Sequence, residues 1–277
     1  IPGTSSIVQL DAWNWEDAAY KTDDGIHLYW PGYFTFQFKD NVASVTPGDQ
    51  YEKQVNDIRQ YFTQAKAYNE STTHAERNIN FEAMKGLFDG TKRLYVHCDY
   101  VREIINAVQF AGDFNLHPVI VGGTESHKCT ELLKEKNVPV ILGNLHALPG
   151  NDDDEVELPY ETANLLNKAG VKYCLSVYGY WQIRNLPFMA GTSAAFGVSK
   201  EDALKSITSS TAEILGISDR TGTLEAGKDA NLIVSTGDVM DMKTSNIEFA
   251  FIQGRQINLD NSQKQLNEIY LKKYGLK

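Results

Sequence analysis

His97 and three other side chains are the residues of this chain whose types and positions best suit the binding of a metal ion or an anionic group. His97 ends the apolar run Arg93-Leu-Tyr-Val-His97, which predicts a strand, and an imidazole there can bind a divalent metal or form a hydrogen bond in a pocket. His127 lies early in a later predicted helix, and His146 lies in a predicted loop. Arg184 precedes a further helix, where its guanidinium could bind a substrate carboxylate through two hydrogen bonds.

The three candidates other than His97 each have a simpler interpretation as well. His127 could reach a pocket and supply a metal ligand, but a solvent-facing position on its helix is simpler. His146 could contact substrate, or it could be an ordinary residue of a surface loop. Arg184 could form a structural ion pair instead of binding substrate. These three residues are therefore substrate-binding candidates, and for His97 a metal ligand and a hydrogen-bonded pocket residue both stay open at this point.

The elements that must position these side chains alternate between strand and helix. The predicted strands are apolar on both faces, which is typical of a buried parallel sheet, and the predicted helices join them. The strands lie at 93–97, 118–122, 138–143 and 171–178, and the helices at 100–111, 125–136 and 160–169. Asp99 precedes the first of these helices and is expected to cap it. Upstream, residues 26–30 predict another strand, and residues 32–48 predict an aromatic surface loop.

The most specific pattern in the chain is the segment 208–234, TSSTAEILGISDRTGTLEAGKDANLIV. A predicted helix ends at Gly216, a residue suited to the left-handed position that terminates helices. A short turn then leads to Gly222-Thr-Leu-Glu-Ala-Gly-Lys-Asp-Ala-Asn and the apolar run Leu232-Ile-Val-Ser. This order resembles the C-terminal end of the amidohydrolase superfamily, where the last barrel helix passes into a small β-sandwich. Asn231 stands where that family usually has Asp.

The strand and helix units before this segment also resemble the second half of an amidohydrolase barrel, of the imidazolonepropionase-like type. The stretch from Phe81 to His97 resembles the segment that leads into the fifth-strand metal ligand. Pro118 to Glu125 resembles the sixth strand, and 171–178 with the helix that follows resembles the eighth. The resemblance covers residues 79–257 and is weak before them.

The resemblance implies an α/β fold with a TIM-type (β/α) barrel that lacks its first strands, plus a small C-terminal β-sheet. We expect the partial barrel in residues 1–216, part of the β-sandwich in 217–259 and a helical tail in 260–277. A complete barrel takes about 250 residues before any appendage, more than this chain offers up to its last predicted barrel strand.

The resemblance also implies a set of metal ligands, of which this chain keeps little. Family members bind one or two divalent ions with a His-x-His pair on the first strand, histidines on the fifth and sixth strands and an aspartate on the eighth. His97 matches the fifth-strand ligand, whereas Gly122 and Tyr178 occupy the sixth- and eighth-strand positions. None of the six histidines forms a His-x-His pair. A zinc site normally takes three or more protein ligands, so the sequence predicts a degenerate site.

The net charge and the hydropathy of the chain argue against two classes of binding partner. A net charge of −10 argues against nucleic acid, and no apolar run reaches the roughly 18 residues that span a bilayer. The three cysteines have no metal-ligand spacing and no disulfide pattern. The resemblance to amidohydrolases implies a small-molecule substrate. An unpaired edge of the small sheet could pair with a second copy of the chain or with a preceding N-terminal segment.

Two functions remain open at this point. In the first, the intact protein uses zinc or another divalent metal to hydrolyse an amide or cyclic amide C–N bond, while this chain alone is inactive. In the second, the protein is a non-catalytic amidohydrolase-like binding protein that has lost its metal site and holds no metal.

Overall fold

The computed structural model describes residues 3–39, 42–48, 50–150 and 153–276. Its strands are β1 Gly3–Val8, β2 Ala19–Tyr29, β3 Phe34–Lys39, β4 Val42–Pro47, β5 Arg93–Cys98, β6 Pro118–Gly122, β7 Val140–Leu142, β8 Tyr173–Leu175, β9 Leu232–Ser235, β10 Ile247–Ile252 and β11 Arg255–Gln256. Its helices are α1 Trp15–Ala18, α2 Tyr51–Glu70, α3 Ile79–Ala83, α4 Lys85–Phe88, α5 Val101–Asp113, α6 Thr130–Glu135, α7 Leu158–Ala169, α8 Leu186–Ala195, α9 Lys200–Lys205, α10 Ser209–Leu215 and α11 Ser262–Tyr274. Short 3₁₀ helices lie at Ser126–Cys129 and Ile183–Asn185.

A six-stranded sheet forms the centre of the molecule, in the order β1-β2-β5-β6-β7-β8. The strands from β2 to β8 pair in parallel, and β1 pairs antiparallel with β2 at one edge. The predicted parallel strand–helix units are therefore confirmed. Within the described residues β8 pairs only with β7, so the sheet stays open at this edge.

The two faces of the sheet carry different side chains because residues alternate along a strand. On one face Leu94 and Val96 of β5 join the main core, which includes buried side chains of the surrounding helices. On the other face Tyr95, Val121 and Cys174 form a second cluster with Ile214 of α10. This second face is the one that would line the inside of a closed barrel.

Aromatic packing joins α2 and α5 in the main core. Phe62 of α2 is fully buried and contacts Phe110 and Phe114 of α5, with ring centroids 5.0 and 5.7 Å apart. The edge-on contact of Phe62 with Phe110 is the geometry that aromatic rings favour. Trp30, directly after β2, also packs on Phe110 and donates its indole N–H to the Tyr51 hydroxyl.

The prediction of a loop at residues 32–48 was wrong, because β3 and β4 lie there and pair antiparallel. The sequence Phe34-Thr-Phe-Gln-Phe-Lys alternates aromatic and polar residues, and this period of two is the strand signal. A high content of aromatic residues does not by itself distinguish a surface loop from a strand, whereas their alternation with polar residues does.

The C-terminal region forms a three-stranded antiparallel sheet, β11-β10-β9, as the family segment predicted. Gly216 adopts φ +67° at the end of α10, the left-handed cap that the sequence indicated. Gly222 lies against α10, where an added Cβ would come within 2.6 Å of the Ala212 side chain. Asp229 accepts hydrogen bonds from Arg220 and from Tyr20 of β2, which ties the segment to the large sheet.

The end of the chain is helical, as predicted, and all described side chains of α11 lie at or near the surface. The boundaries at 216/217 and 259/260 stay predictions. In the part of the chain that the structure describes, each helix is too short or too polar to cross a lipid bilayer.

Replacing Phe62 by alanine is expected to lower the free energy of unfolding by about 3–5 kcal/mol, because it removes a fully buried ring and leaves a cavity. Leu224→Ala is the control, since Leu224 is 83% exposed and should change stability by no more than about 0.5 kcal/mol. Urea unfolding of both variants measures the difference. Equal losses would show that the α2–α5 contact is not part of the folded core.

Candidate active site

The candidate site lies toward the carboxyl ends of β2 and β5, on the inner face of the sheet. The parallel register places His27 of β2 opposite Tyr95 of β5, and Tyr29 opposite His97. All four side chains therefore point to the same face. His27 was not among the residues that the sequence singled out, and it is the nearest partner of His97.

The two imidazoles form a hydrogen-bonded histidine pair, here defined as His27 and His97. Nδ1 of His27 and Nε2 of His97 are 2.8 Å apart, so one ring donates its N–H and the other accepts. The ring centroids are 5.1 Å apart, and Tyr29 packs on the far side of His97 at 4.3 Å. A hydrogen bond between two imidazoles requires at least one of them to be neutral.

Burial lowers the pKa of both histidines. For His27, loss of hydration has the largest effect, and the nearby Asp24 carboxylate opposes it. For His97, loss of hydration is again first, His27 lowers the pKa further, and Asp99 opposes both. The protein environment therefore favours a neutral pair.

Tyr95 contacts the histidine pair by packing on His27, and Asp24 holds the Tyr95 hydroxyl. The Tyr95 ring stacks on His27 at 4.9 Å, and its hydroxyl donates to Asp24 Oδ2 at 2.6 Å. Asp24 is only 1% exposed and also contacts Lys21 Nζ at 2.6 Å. Gly25 makes this stacking possible, because a Cβ there would lie 2.4 Å from the Tyr95 ring. Burial and Asp24 together raise the pKa of Tyr95, so its hydroxyl stays protonated and donates.

Gly122, at the expected sixth-strand ligand position, is closed off by Asp99. A Cβ on Gly122 would lie 2.7 Å from Asp99 Oδ1, and the glycine adopts φ +101°, which other residues rarely do. The same carboxylate oxygen accepts from the Thr124 hydroxyl at 2.7 Å. The expectation that Asp99 caps α5 was therefore wrong, because its carboxylate bonds across to the β6 end while Tyr100 occupies the cap position.

Tyr178, at the eighth-strand position, lies beside these residues. A Cβ on Gly143 would come within 3.0 Å of its ring, so the phenol covers the end of β7. Burial raises the pKa of Tyr178, and the charge of Asp99 adds to the effect. A phenol with a raised pKa is a weak base near neutral pH, so it is a poor substitute for a carboxylate.

His127 lies in the 3₁₀ helix after β6, in a separate crevice of about 30 Å³ lined by Tyr100, Pro149 and Asp154, among others. Its Nδ1 is buried and has no hydrogen-bond partner among the described residues. The proposed solvent-facing position is therefore wrong, since the ring packs inward. Burial and the charge of Lys128 lower the pKa of His127. In the described residues no contact joins His127 to the histidine pair.

His146 and Arg184 lie in the loops that follow β7 and β8. His146 Nε2 is 2.8 Å from the Thr192 hydroxyl of α8, and the side chain is exposed. Arg184 is exposed, and the structure gives it no ion pair within the described residues. A hydrogen bond from Asn144 to Gln182 connects the two loops. Both candidates lie at the rim, and their roles in substrate binding stay predictions.

The described residues do not complete a metal site of the usual kind. They contain no group of three or more His, Cys, Asp or Glu side chains placed to hold an ion. The histidine pair offers two nitrogens, but these are 2.8 Å apart, whereas a tetrahedral zinc with Zn–N bonds of about 2.0–2.1 Å separates its ligands by about 3.3 Å. The rings would have to separate slightly to hold an ion, and a third ligand would have to come from elsewhere.

The sequence profile of the Amidohydrolase family matches residues 26–257, most of the 277-residue chain. The chain therefore belongs to the amidohydrolase family. The match begins well upstream of residue 79, where the recognisable motifs started, and it includes His27. A search among curated proteins found no significant match.

Solved structures are similar over different shares of the chain. An amidohydrolase from Thermotoga maritima MSB8 has 27% sequence identity and a TM-score of 0.77, with 92% of this chain and 68% of that chain covered. Two structures of one further protein, described once as uncharacterized and once as a prolidase complexed with N-methylphosphonate-L-proline, each have 18% identity over 64% of this chain, with TM-scores of 0.51 and 0.50. The chain spans 48% and 47% of the protein in those two structures, which shares its fold.

Tyr95→Phe is expected to lower the free energy of unfolding by about 1–3 kcal/mol, because the buried Asp24 oxygen loses its donor. Tyr29→Phe is the matched control: Tyr29 is 63% exposed, so loss of its hydroxyl should have little effect. Urea unfolding of the two variants gives the comparison. A control as damaging as Tyr95→Phe would mean that the Tyr95–Asp24 bond is not the cause.

Stability should fall on acidification below about pH 6.5, the ordinary histidine pKa. The folded pKa values of His27, His97 and His127 are lowered, so in this range the unfolded chain binds more protons and stability rises with pH. Between pH 7.5 and 5.5, the double variant His27→Gln/His97→Gln should lose less of its free energy of unfolding than the parent chain. The loss that remains in the variant includes the contribution of His127. Chemical denaturation at both pH values measures it, and an unchanged slope would contradict the assignment.

Proposed function

We propose that this chain is part of a metal-dependent hydrolase that cleaves an amide or cyclic amide C–N bond in the intact protein. The observation that carries the proposal is the histidine pair at the carboxyl ends of two parallel strands in an amidohydrolase-family chain. In TIM-type barrels, active sites lie at this end of the strands. The open sheet of residues 1–216 would then be the second part of such a barrel, and the sheet in 217–259 part of the composite domain.

The ion would be zinc or another divalent metal, and it would supply a water of lowered pKa for attack on the bond. His97 is the proposed ligand, and His27 is added to it because its Nδ1 faces the same point. Two imidazoles fall short of the three protein ligands of catalytic zinc sites. We therefore expect this chain by itself to be inactive.

The proposed ligand is a small molecule, with Arg184, His146 and His127 as substrate-binding candidates. Arg184 and His146 are the stronger two, because they lie on the loops that follow β7 and β8, and a hydrogen bond joins these loops. His127 is the weakest, because its crevice of about 30 Å³ has room for little more than a water molecule. The net charge of −10 disfavours nucleic acid.

The alternative is a non-catalytic amidohydrolase-like protein that binds a small molecule without metal. Two observations favour it. The Asp99 carboxylate fills the space beside Gly122, and Tyr178 covers the end of β7. Gly122 and Tyr178 stand where the family pattern has its sixth- and eighth-strand ligands, and here neither residue offers a histidine or a carboxylate.

Two measurements distinguish these proposals. One is the zinc content of the protein after desalting, and the other is its hydrolytic activity on a panel of acylated amino acids and cyclic amides. For residues 1–277 we expect less than one equivalent of zinc and no hydrolysis above that of His97→Ala. The exposed His117→Ala is the control and should behave like the parent chain. Stoichiometric zinc that His97→Ala loses would show that ligands were missed and that this chain holds a full site. In the intact protein, turnover unaffected by His97→Ala would overturn the proposed role of His97.

A further inference from the structure

A large cavity lies at the opposite end of the sheet from the histidine pair. It has a volume of about 820 Å³ and opens at the amino ends of β5, β6, β7 and β8. This volume is within the range of about 300–1,000 Å³ that small-molecule sites occupy. The cavity, here called the basal cleft, is lined by Arg93, Lys134, Lys172 and Glu213, among others.

Arg93 is the first residue of β5, and its guanidinium lies in the cleft against Gly216. A Cβ on Gly216 would come within 2.5 Å of both terminal guanidinium nitrogens, so only glycine leaves room for this placement. Arg93 is partly buried, and within the described residues its side chain has no hydrogen bond or ion pair. An arginine is always charged and carries five N–H donors, so partial burial without an acceptor is unfavourable.

Lys134 of α6 also lines the cleft. Its Nζ is 3.4 Å from the place of a Cβ on Gly170, the residue that caps α7, and it has no carboxylate partner in the described residues. Lys172 is different, because it forms an ion pair with Glu213 at 2.5 Å.

The charges around the cleft leave an excess of cations. Lys92, Arg93, Lys134 and Lys172 line it, against the carboxylates of Asp89 and Glu213. Glu213 is paired with Lys172, and Lys92 pairs with Asp23 at 4.0 Å. Within the described residues Arg93 and Lys134 are therefore the lining cations without a carboxylate partner, against the single carboxylate of Asp89. The cleft is therefore locally cationic on a chain whose net charge is −10. Because the overall net charge repels anions, any attraction of an anion to the basal cleft must come from the cations that line it.

We propose that the basal cleft binds a small organic anion bearing a phosphate or carboxylate group, with Arg93 as its anchor and Lys134 as the second cation. Both terminal nitrogens of Arg93 face Gly216, so the guanidinium would donate to the anionic group through the N–H groups that point away from that glycine, and Lys134 would add a second positive charge. The site is independent of the proposed hydrolase function, since it lies at the other end of the strands. A competing explanation is that Arg93 only stabilises the carboxyl end of α10, where Gly216 is the cap.

Titrations of residues 1–277 with inorganic pyrophosphate and with citrate, followed by backbone amide NMR, test the proposal. Binding with a Kd of about 1 mM or tighter is expected to shift the amides of Arg93, Gly170 and Gly216. Stronger binding of pyrophosphate would assign a phosphate ligand, and stronger binding of citrate would assign a carboxylate ligand.

Variants distinguish a ligand site from a structural arginine. Arg93→Gln should weaken binding by about tenfold or more, and Lys134→Gln, an exposed position that does not threaten folding, by several-fold. Lys136→Gln is the control, because Lys136 pairs with Glu135 outside the cleft. Absence of shifts with both anions up to about 10 mM would overturn the proposal, as would unchanged affinity in Lys134→Gln. Reduced stability of Arg93→Gln with unchanged anion affinity would favour the helix-end explanation instead.

Discussion

The parallel pairing of β2 with β5 is the constraint on which the candidate site depends. Its register sets His27 beside Tyr95 and Tyr29 beside His97, all on the inner face. A shift of one residue in either strand would turn that strand's histidine toward the helices, because side chains alternate between the two faces. The outward residues resist such a shift, since Ile26, Leu28, Leu94 and Val96 are almost completely buried in the main core.

Polar groups placed in that buried layer then fix the orientation of the rings. Asp24 cannot remain buried without partners, and it finds them in the Tyr95 hydroxyl and the Lys21 amine. Tyr95 in turn stacks on His27, which hydrogen-bonds to His97. The hydrophobic core thus holds the register, and the register determines which polar groups meet. At the mouth, Asp99 and Tyr178 occupy the space around Gly122 and Gly143, which limits the ligand set on that side.

The sequence predicted the elements from β5 onward because each carries a local signal: apolar strands, helical spacing, and the segment after Gly216. It also placed His97 at a strand end correctly. It missed His27, although the strand at 26–30 was predicted, because strand order and register are not local properties. The two histidines are 70 positions apart in the sequence, and they meet because β2 and β5 are adjacent strands of the sheet. His127 was misplaced for a related reason, since its one-turn 3₁₀ helix is too short for a helical period to show which side is buried.

The hydrogen bond within the histidine pair is the central claim, and NMR scalar coupling across it tests that claim most directly. In a sample with ¹⁵N-labelled histidine, the account predicts a two-bond coupling between Nδ1 of His27 and Nε2 of His97 near neutral pH. The coupling should disappear in His27→Gln and persist in His117→Gln. Independent spectra for the two rings, with no coupling and no response of His97 to His27→Gln, would contradict the geometry on which the proposed metal-binding role of His27 rests.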